Sequence, residues 1–89
     1  MPSSSLKIIN PLGLHARAAS KFVGLAKSFS SRVELSKGGE AVDGKSIMSV
    51  MLLAAPVGSE IVLEVQGEDA EEAFTALRDL INDGFGELE

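Results

Sequence analysis

The sequence places its only histidine, His15, two residues before Arg17 and at the predicted start of a helix. A helix N-terminus presents unpaired backbone N–H groups and a positive dipole potential, so the amides of Ala16 and Arg17 could hold an anion attached to the histidine ring. The guanidinium of Arg17 could bind phosphoryl oxygens as a fork. His15 is therefore a candidate acceptor of a phosphoryl group. A lone histidine is more often a surface or capping residue, and the residues alone leave both interpretations open.

The helix that would carry this site is predicted from the spacing of apolar residues. Between residues 16 and 28 they recur at i, i+3, i+4 and i+7, which marks one helical face: Ala19, Phe22, Val23 and Ala26. The helix should therefore begin at about His15. Gly24 lies inside it at a cost of about 1 kcal/mol relative to alanine, which predicts close packing or the approach of a partner on that side.

Strands and turns are predicted around this helix. The run Lys7-Ile8-Ile9 is β-prone and is closed by Asn10-Pro11. Val33 and Leu35 alternate with polar residues, and Gly38-Gly39 then favours a hairpin turn into residues 40–42. Residues 61–65 are rich in β-branched side chains and lie between Gly58 and Gly67, which predicts a fourth strand.

Two more helices complete the prediction. Ser46 is placed to cap a short helix that ends before Pro56, with an apolar stripe at Ile47, Val50, Met51 and Ala54. Asp69 and Glu72 resemble a capping box, and Gly84 is placed to terminate the last helix. Its predicted buried face consists of Ala70, Ala73, Phe74, Leu77 and Ile81. The order βαββαβα favours an α+β fold, with an antiparallel sheet covered on one face by helices.

Composition and charge exclude several classes of protein. Residues 1–89 suffice for a single domain and are too few for a cofactor-binding domain plus a substrate domain, so we expect no cofactor. The absence of cysteine excludes disulfides and thiolate metal sites, and the single histidine disfavours a histidine-based site, so we expect no metal. Residues 1–45 carry seven Lys/Arg against three acids (+4) and residues 46–89 one against ten (−9), which together give the net charge of −5. A basic region of this kind could steer an acidic partner, whereas the lack of Trp and Tyr disfavours nucleic acid.

No signal peptide or long apolar stretch is visible in the sequence. The first five residues lack a basic start followed by an apolar run, and no apolar stretch approaches the ~20 residues that span a bilayer. We therefore expect a cytoplasmic protein without a membrane partner.

One segment matches a competing motif. Residues 39–46, GEAVDGKS, fit the Walker A pattern of nucleotide-binding proteins. A phosphate-binding loop should follow a buried strand of a parallel sheet and open a long helix, whereas Gly39 to Val42 reads as the second arm of a hairpin. Glu40 and Asp43 would also face the phosphates. We therefore interpret the match as accidental.

Three segments resemble one known family. Gly13-Leu14-His15-Ala16-Arg17-Ala18-Ala19 is similar to the active-site segment of the HPr phosphocarriers of the phosphotransferase system. Residues 43–53 resemble the regulatory-serine segment of that family, and residues 67–73 resemble the opening of its last helix. These similarities follow the family's order over nearly the whole chain. The acidic last helix and residues 82–85 look more like the nitrogen-related branch, NPr, whereas the Ser46 segment looks more like sugar-transport HPr, so the branch stays open.

The resemblance implies a fold and a function. It implies an open-faced β-sandwich of four antiparallel strands with three helices on one side. The protein would be a carrier rather than a turnover enzyme. His15 would accept a phosphoryl group from Enzyme I through Nδ1 and pass it to IIA domains, with Arg17 stabilising the charge. Ala18 departs from the family's usual proline, which should loosen the first helical turn slightly. A regulatory binder of the same fold that carries no phosphoryl group is the remaining alternative.

Further residues are expected to regulate the carrier and to bind its partners. Ser46 is both a predicted helix cap and a candidate site for a serine kinase/phosphorylase. Met51 is expected in the core, and Met48 and Leu52 on an adaptable docking surface. Lys45 could join a basic rim. The predicted docking residues are Leu12, Ser20, Lys21, Gly24, Lys27, Ile47, Met48 and Leu52. We expect the protein to be a monomer.

Overall fold

In the described part of the chain, seven helices and strands follow one another in the predicted order. A computed structural model describes residues 2–53 and 55–87. The elements are β1 (Ser3–Lys7), α1 (Ala16–Ala26), β2 (Arg32–Lys37), β3 (Glu40–Asp43), α2 (Ile47–Leu52), β4 (Glu60–Gln66) and α3 (Ala70–Asn82). A 3₁₀ turn, Gly84–Gly86, follows α3. The predicted order βαββαβα is confirmed.

The sheet is antiparallel throughout and has the strand order β1-β4-β2-β3. Successive side chains of β4 alternate between buried and exposed positions, with Ile61, Leu63 and Val65 fully buried. Leu35 and Leu63 are partners across β2 and β4. One face of the sheet therefore lies against the core and the other faces water, which confirms the open-faced α+β architecture.

Helices α1 and α3 cover the buried face of the sheet. Helix α1 contributes Ala18, Ala19, Phe22, Val23 and Ala26 to the core, and α3 contributes Ala70, Ala73, Leu77 and Ile81. Phe22 and Phe85 are among the largest fully buried side chains, and each such ring stabilises the fold by about 1.5–3 kcal/mol. The apolar spacing in the sequence thus identified the buried face of both helices, although Phe74 is only partly buried.

Some local predictions are wrong. Strand β1 occupies Ser3–Lys7 rather than residues 7–9, because its backbone pairs with β4 despite a run of serines that has little β-propensity. Gly24 is exposed and has nothing within 4 Å of an added Cβ, so the predicted close packing there is absent. Helix α1 ends at Ala26, before the predicted residue 28.

The short helix α2 also differs from its prediction. Only Val50 is buried within it, and Leu53 follows in the core. Met51 is 42% exposed, so its assignment to the core is wrong. A helix of six residues makes fewer than two turns, so few of its side chains can face the core, and in α2 that side chain is Val50. The prediction for Ala54 lies outside the described residues.

Within residues 2–53 and 55–87, no helix is long and apolar enough to cross a membrane.

Candidate functional site

A tight loop sets the position of His15. Gly13 has φ +68°, and an added Cβ there would lie 2.7 Å from the carbonyl oxygen of Ala55. Glycine is therefore needed both for the backbone conformation and for the close approach. The amide of Leu14 donates to that same oxygen at 2.9 Å, and the buried Leu14 side chain anchors the loop. The chain that enters α1 is thereby attached to the segment before β4.

His15 is the N-cap residue of α1, as predicted. Its backbone is extended (φ −84°, ψ −179°), and its Nδ1 accepts a hydrogen bond from the amide of Arg17 at 3.3 Å. The ring nitrogen therefore takes the place that a serine or aspartate oxygen usually takes at a helix start. A group bound to Nδ1 would lie at the positive end of α1, beside the amide of Arg17.

The other ring nitrogen contacts a residue far along the chain. His15 Nε2 lies 2.5 Å from a carboxylate oxygen of Glu87, and the two side chains are 27% and 13% exposed. The second carboxylate oxygen accepts from Asn10 Nδ2 at 2.9 Å. This hydrogen bond from Asn10 is the largest cause that lowers the pKa of Glu87, while burial raises it and His15 and Lys21 lower it further. Glu87 is thus held as a carboxylate against the ring.

The segment after α3 is fixed by two contacts of its own. Phe85 is fully buried although it adopts the left-handed conformation at φ 58°. Lys21, on the second turn of α1, donates from Nζ to the carbonyl oxygen of Phe85 at 2.8 Å. The 3₁₀ turn is therefore attached to α1, and Glu87 follows it directly.

Positive and negative side chains surround an open depression next to His15. It has a volume of about 380 Å³ and is lined by Pro11, Leu12, Arg17, Lys21, Gly86 and Glu87. Arg17 is exposed here, on the turn that also carries the amide bonded to His15. The arrangement gives an incoming anion a guanidinium and a helix N-terminus, with a carboxylate on the far side of the ring.

All of the predicted docking residues are exposed. Leu12 lies at the loop, Ser20, Lys21, Gly24 and Lys27 lie along α1, and Ile47, Met48 and Leu52 lie on α2. Met48 and Leu52 are 75% and 77% exposed, and the exposed Met51 belongs to the same apolar surface. Lys27 is the C-cap of α1, about 18 Å from His15 along the helix axis, so it does not contact the ring.

The structure also places Ser46 and the residues that match the Walker A pattern. Ser46 is the N-cap of α2, with its Oγ accepting from the amide of Ser49 at 3.3 Å, which confirms the predicted cap. Residues 40–43 form β3, the second arm of an antiparallel hairpin, rather than a loop after a parallel strand. Lys45 donates from Nζ to the carbonyl oxygen of Phe29, so its ammonium has a structural partner. Within the described residues, no group of three or more His, Cys, Asp or Glu could hold a metal ion.

Comparison with known proteins identifies the family. The family model described as "PTS HPr component phosphorylation site", in which PTS stands for the phosphotransferase system, matches residues 2–83, which include His15. The chain belongs to the HPr family. It is 55% identical over 82 residues to "Phosphocarrier protein HPr" of Cupriavidus necator, with 92% of each chain covered. It is 53% identical over 89 residues to the protein of that name from Neisseria meningitidis serogroup A, with both chains covered completely.

Solved HPr structures have the same fold. The crystal structure of HPr-C-His from Thermoanaerobacter tengcongensis is 43% identical, covers 100% of both chains and superposes with a TM-score of 0.95. An HPr from Bacillus anthracis is 38% identical with a TM-score of 0.86, covering 90% of this chain and 95% of the other. The HPr fold that the sequence resemblance implied is therefore shown.

Sequence reasoning missed two residues of the site, Asn10 and Glu87. The sequence pattern marks Asn10 only as the end of a strand, although the residue is fully buried and donates hydrogen bonds to Gly13 and Glu87. Glu87 is one of ten acids in residues 46–89 and lies 72 positions from His15. An acid in such a segment carries no local signal that separates it from its neighbours, so only the tertiary fold identifies it.

Proposed function

We propose that this HPr-family protein carries a phosphoryl group on Nδ1 of His15, accepting it from phosphorylated Enzyme I and passing it to IIA domains. The observation that supports this most directly is the position of Nδ1, which faces the N-terminus of α1 and the amide of Arg17. A phosphoryl group on this atom would receive hydrogen bonds from the helix start and charge compensation from the Arg17 guanidinium. The same atom then serves as nucleophile and as the centre of an anion site.

The transfer needs no turnover of a small molecule. The Nδ1 lone pair attacks phosphorus and forms an N–P bond, while the bond between phosphorus and the donor nitrogen breaks and its electron pair returns to the donor. The reverse exchange delivers the group to the next protein. Backbone amides and Arg17 stabilise the charge on the phosphoryl oxygens in both directions. The protein is thus a carrier with a covalent phosphohistidine intermediate rather than an enzyme.

Partner proteins would bind the exposed surface formed by α1, α2 and Leu12. Its apolar part, which includes Met48 and Leu52, is adaptable enough for partners of different shape. Arg17 and Lys21 beside it would attract an acidic partner surface. Phosphorylation of Ser46 would place a dianion at the start of α2, within this surface, and would weaken docking more than folding.

Phosphoryl uptake can be measured directly. The protein is incubated with Enzyme I and phosphoenolpyruvate, and its intact mass is recorded before and after brief acid treatment. The wild type and a Ser46→Ala variant should gain one acid-labile phosphoryl group, and a His15→Ala variant should gain none. Uptake by His15→Ala, or absence of uptake by the wild type, would contradict the proposal. Candidate IIA domains are then tested for receipt of the group.

A further inference from the structure

Glu87 contacts Nε2 of His15, the ring nitrogen that phosphoryl transfer through Nδ1 leaves unused. We propose that Glu87 is a positioning residue, which holds His15 in the tautomer with hydrogen on Nε2 and the lone pair on Nδ1, and which supplies a counter-charge when Nδ1 forms its bond to phosphorus. This inference depends on the proposed function for its effect on transfer. The tautomer itself is a property of the free protein.

The orientation of the buried Asn10 amide fixes the role of Glu87. Asn10 Nδ2 lies 2.7 Å from the carbonyl oxygen of Gly13 and 2.9 Å from Glu87 Oε1. The carbonyl oxygen of Gly13 cannot donate a hydrogen bond, so the atom of the Asn10 amide that faces this oxygen must be the nitrogen. One amide hydrogen is then donated to Gly13 and the other to Glu87 Oε1. Asn10 Oδ1 has no hydrogen-bond partner among the described residues, which agrees with an orientation set by the two donors. Glu87 Oε1 is therefore an acceptor.

The second oxygen of Glu87 then determines the ring. An ionised carboxylate only accepts hydrogen bonds, so His15 Nε2, 2.5 Å from Oε2, must carry hydrogen. A neutral ring with hydrogen on Nε2 has its lone pair on Nδ1. The amide of Arg17 donates to that same Nδ1 at 3.3 Å, which requires the lone pair there as well. Two independent partners on opposite sides of the ring thus select one tautomer.

The carboxylate also matches the charge change during transfer. When the neutral ring attacks through Nδ1 and keeps the hydrogen on Nε2, a positive charge develops on the imidazole, and no proton has to move. Glu87 stays hydrogen-bonded to Nε2–H and compensates that charge, as a buried carboxylate does for a catalytic histidine. When the phosphoryl group leaves, the ring returns to the neutral form with the same hydrogen in place.

Other contacts hold the segment that carries Glu87, so the Glu87 side chain is not needed to keep this segment folded. Phe85 is fully buried, and its carbonyl oxygen accepts from Lys21. The 3₁₀ turn keeps these contacts when the Glu87 side chain is changed. Substitution at Glu87 should therefore change the ring more than the fold.

The test replaces one carboxylate oxygen without changing the shape of the side chain. In Glu87→Gln only one acceptor oxygen remains for the two donors, Asn10 Nδ2 and His15 Nε2. The new amide nitrogen therefore faces one of these donors and loses that hydrogen bond. Glu68→Gln, at an exposed position in the turn before α3, makes the same change of net charge away from the ring. For each full-length protein, ¹⁵N shifts of the His15 ring are recorded at about pH 9, where a histidine ring is neutral, together with the rate of phosphoryl uptake from Enzyme I.

We expect the wild type and Glu68→Gln to show a protonated Nε2 and an unprotonated Nδ1. In Glu87→Gln the two ring shifts should move towards each other, and uptake should slow roughly tenfold. Glu87→Asp, which keeps both acceptor oxygens, should recover part of that rate. Ring shifts that do not move in Glu87→Gln, or an uptake rate within about twofold of wild type, would overturn the proposal. A wild type that takes up no phosphoryl group would refute the proposed function instead, whereas the ring spectrum would still test the tautomer.

Discussion

Two helix starts in this protein share a local design and serve different ends. The segments Gly13-Leu14-His15 before α1 and Gly67-Glu68-Asp69 before α3 both place a glycine two residues ahead of the N-cap. Both glycines have positive φ, +68° and +144°. An added Cβ would lie 2.7 Å from the Ala55 oxygen in the first case and 2.6 Å from Ser31 Oγ in the second. At each site a close backbone approach precedes the cap.

The two cap side chains differ in how fully they are bonded. Asp69 makes no cap hydrogen bond, so the predicted capping box is absent. Its carboxylate instead accepts from the amides of Ser30 and Ser31, each at 2.9 Å, and from the Ser31 hydroxyl. His15 keeps one long bond to its own helix and one contact to Glu87. The fully bonded carboxylate of Asp69 holds two segments together. The His15 ring is partly exposed and has only a weak bond to its own helix, so in the proposed carrier role it would exchange that bond for a phosphoryl group.

The largest expected effect comes from adding a methyl group at either glycine. Gly13→Ala and Gly67→Ala should each lower the free energy of unfolding by about 2 kcal/mol, since both add strain at positive φ and a steric clash. Only Gly13→Ala should also slow phosphoryl uptake, because it displaces the loop that carries His15. Chemical denaturation and uptake assays on both variants measure this. Equal loss of uptake in the two variants would show that the helix starts are not functionally distinct.

A substitution at Asp69 should separate stability from transfer. Asp69→Asn keeps the shape of the side chain but places an amide nitrogen against a backbone or hydroxyl donor, so the unfolding midpoint should fall. Uptake by the folded variant should match wild type, and Glu68→Gln serves as the control of equal charge. If Asp69→Asn slowed transfer without lowering stability, the assignment of Asp69 to stability and of His15 to transfer would be wrong.

The stability that Asp69 contributes should depend on pH. The Ser31 hydroxyl, followed by the Ser30 amide, lowers the pKa of Asp69 from 3.8 to about 2. A carboxyl group with a lowered pKa in the folded state stabilises the fold above its ordinary pKa, and that contribution is lost as the pH falls towards 2. The difference in unfolding free energy between wild type and Asp69→Asn should therefore be constant above about pH 5 and shrink between about pH 4 and pH 2. Denaturant titrations across this range would reveal a constant difference if the inference is wrong.

Ser46 offers a third helix start, at which a local cap lies next to the proposed docking surface. Ser46→Asp should leave the fold intact because aspartate is also a good N-cap. The added charge should slow phosphoryl transfer from Enzyme I by about tenfold through repulsion of an acidic partner surface. Ser46→Asn, a neutral cap, is the matched control. Unchanged transfer kinetics in Ser46→Asp would contradict this prediction.

The smallest effect is expected away from all three helix starts. Gly24→Ala, on the exposed side of α1, should raise the free energy of unfolding by about 0.5–1 kcal/mol, since no atom opposes the new methyl group. Thermal unfolding measures this gain. Reduced phosphoryl uptake in the stabilised variant would indicate that a partner approaches the helix at this residue.

Patterns within a few residues predicted much of the fold. The spacing of apolar residues identified the buried faces of α1 and α3, and the glycine pair identified the hairpin. The same reasoning failed at Met51, because a short helix buries few of its apolar residues, and at Ser3–Lys7, because pairing with β4 outweighs weak strand propensity. It also read Asp69 and Glu72 as a capping box, since nothing local shows that the backbone of Ser30 and Ser31 competes for the Asp69 carboxylate.

The sequence by itself determined the family, the order of the elements and the local half of the site, in which His15 and Arg17 share one helix turn. Those features depend on residues close together in the chain, where backbone geometry is nearly fixed by residue type. Only the tertiary structure decided the other half: a carboxylate 72 positions away lies against Nε2, and a buried asparagine fixes its orientation. Packing of Phe85 in the core brings the two halves together. A contact between residues so far apart in the chain leaves no local pattern in the sequence.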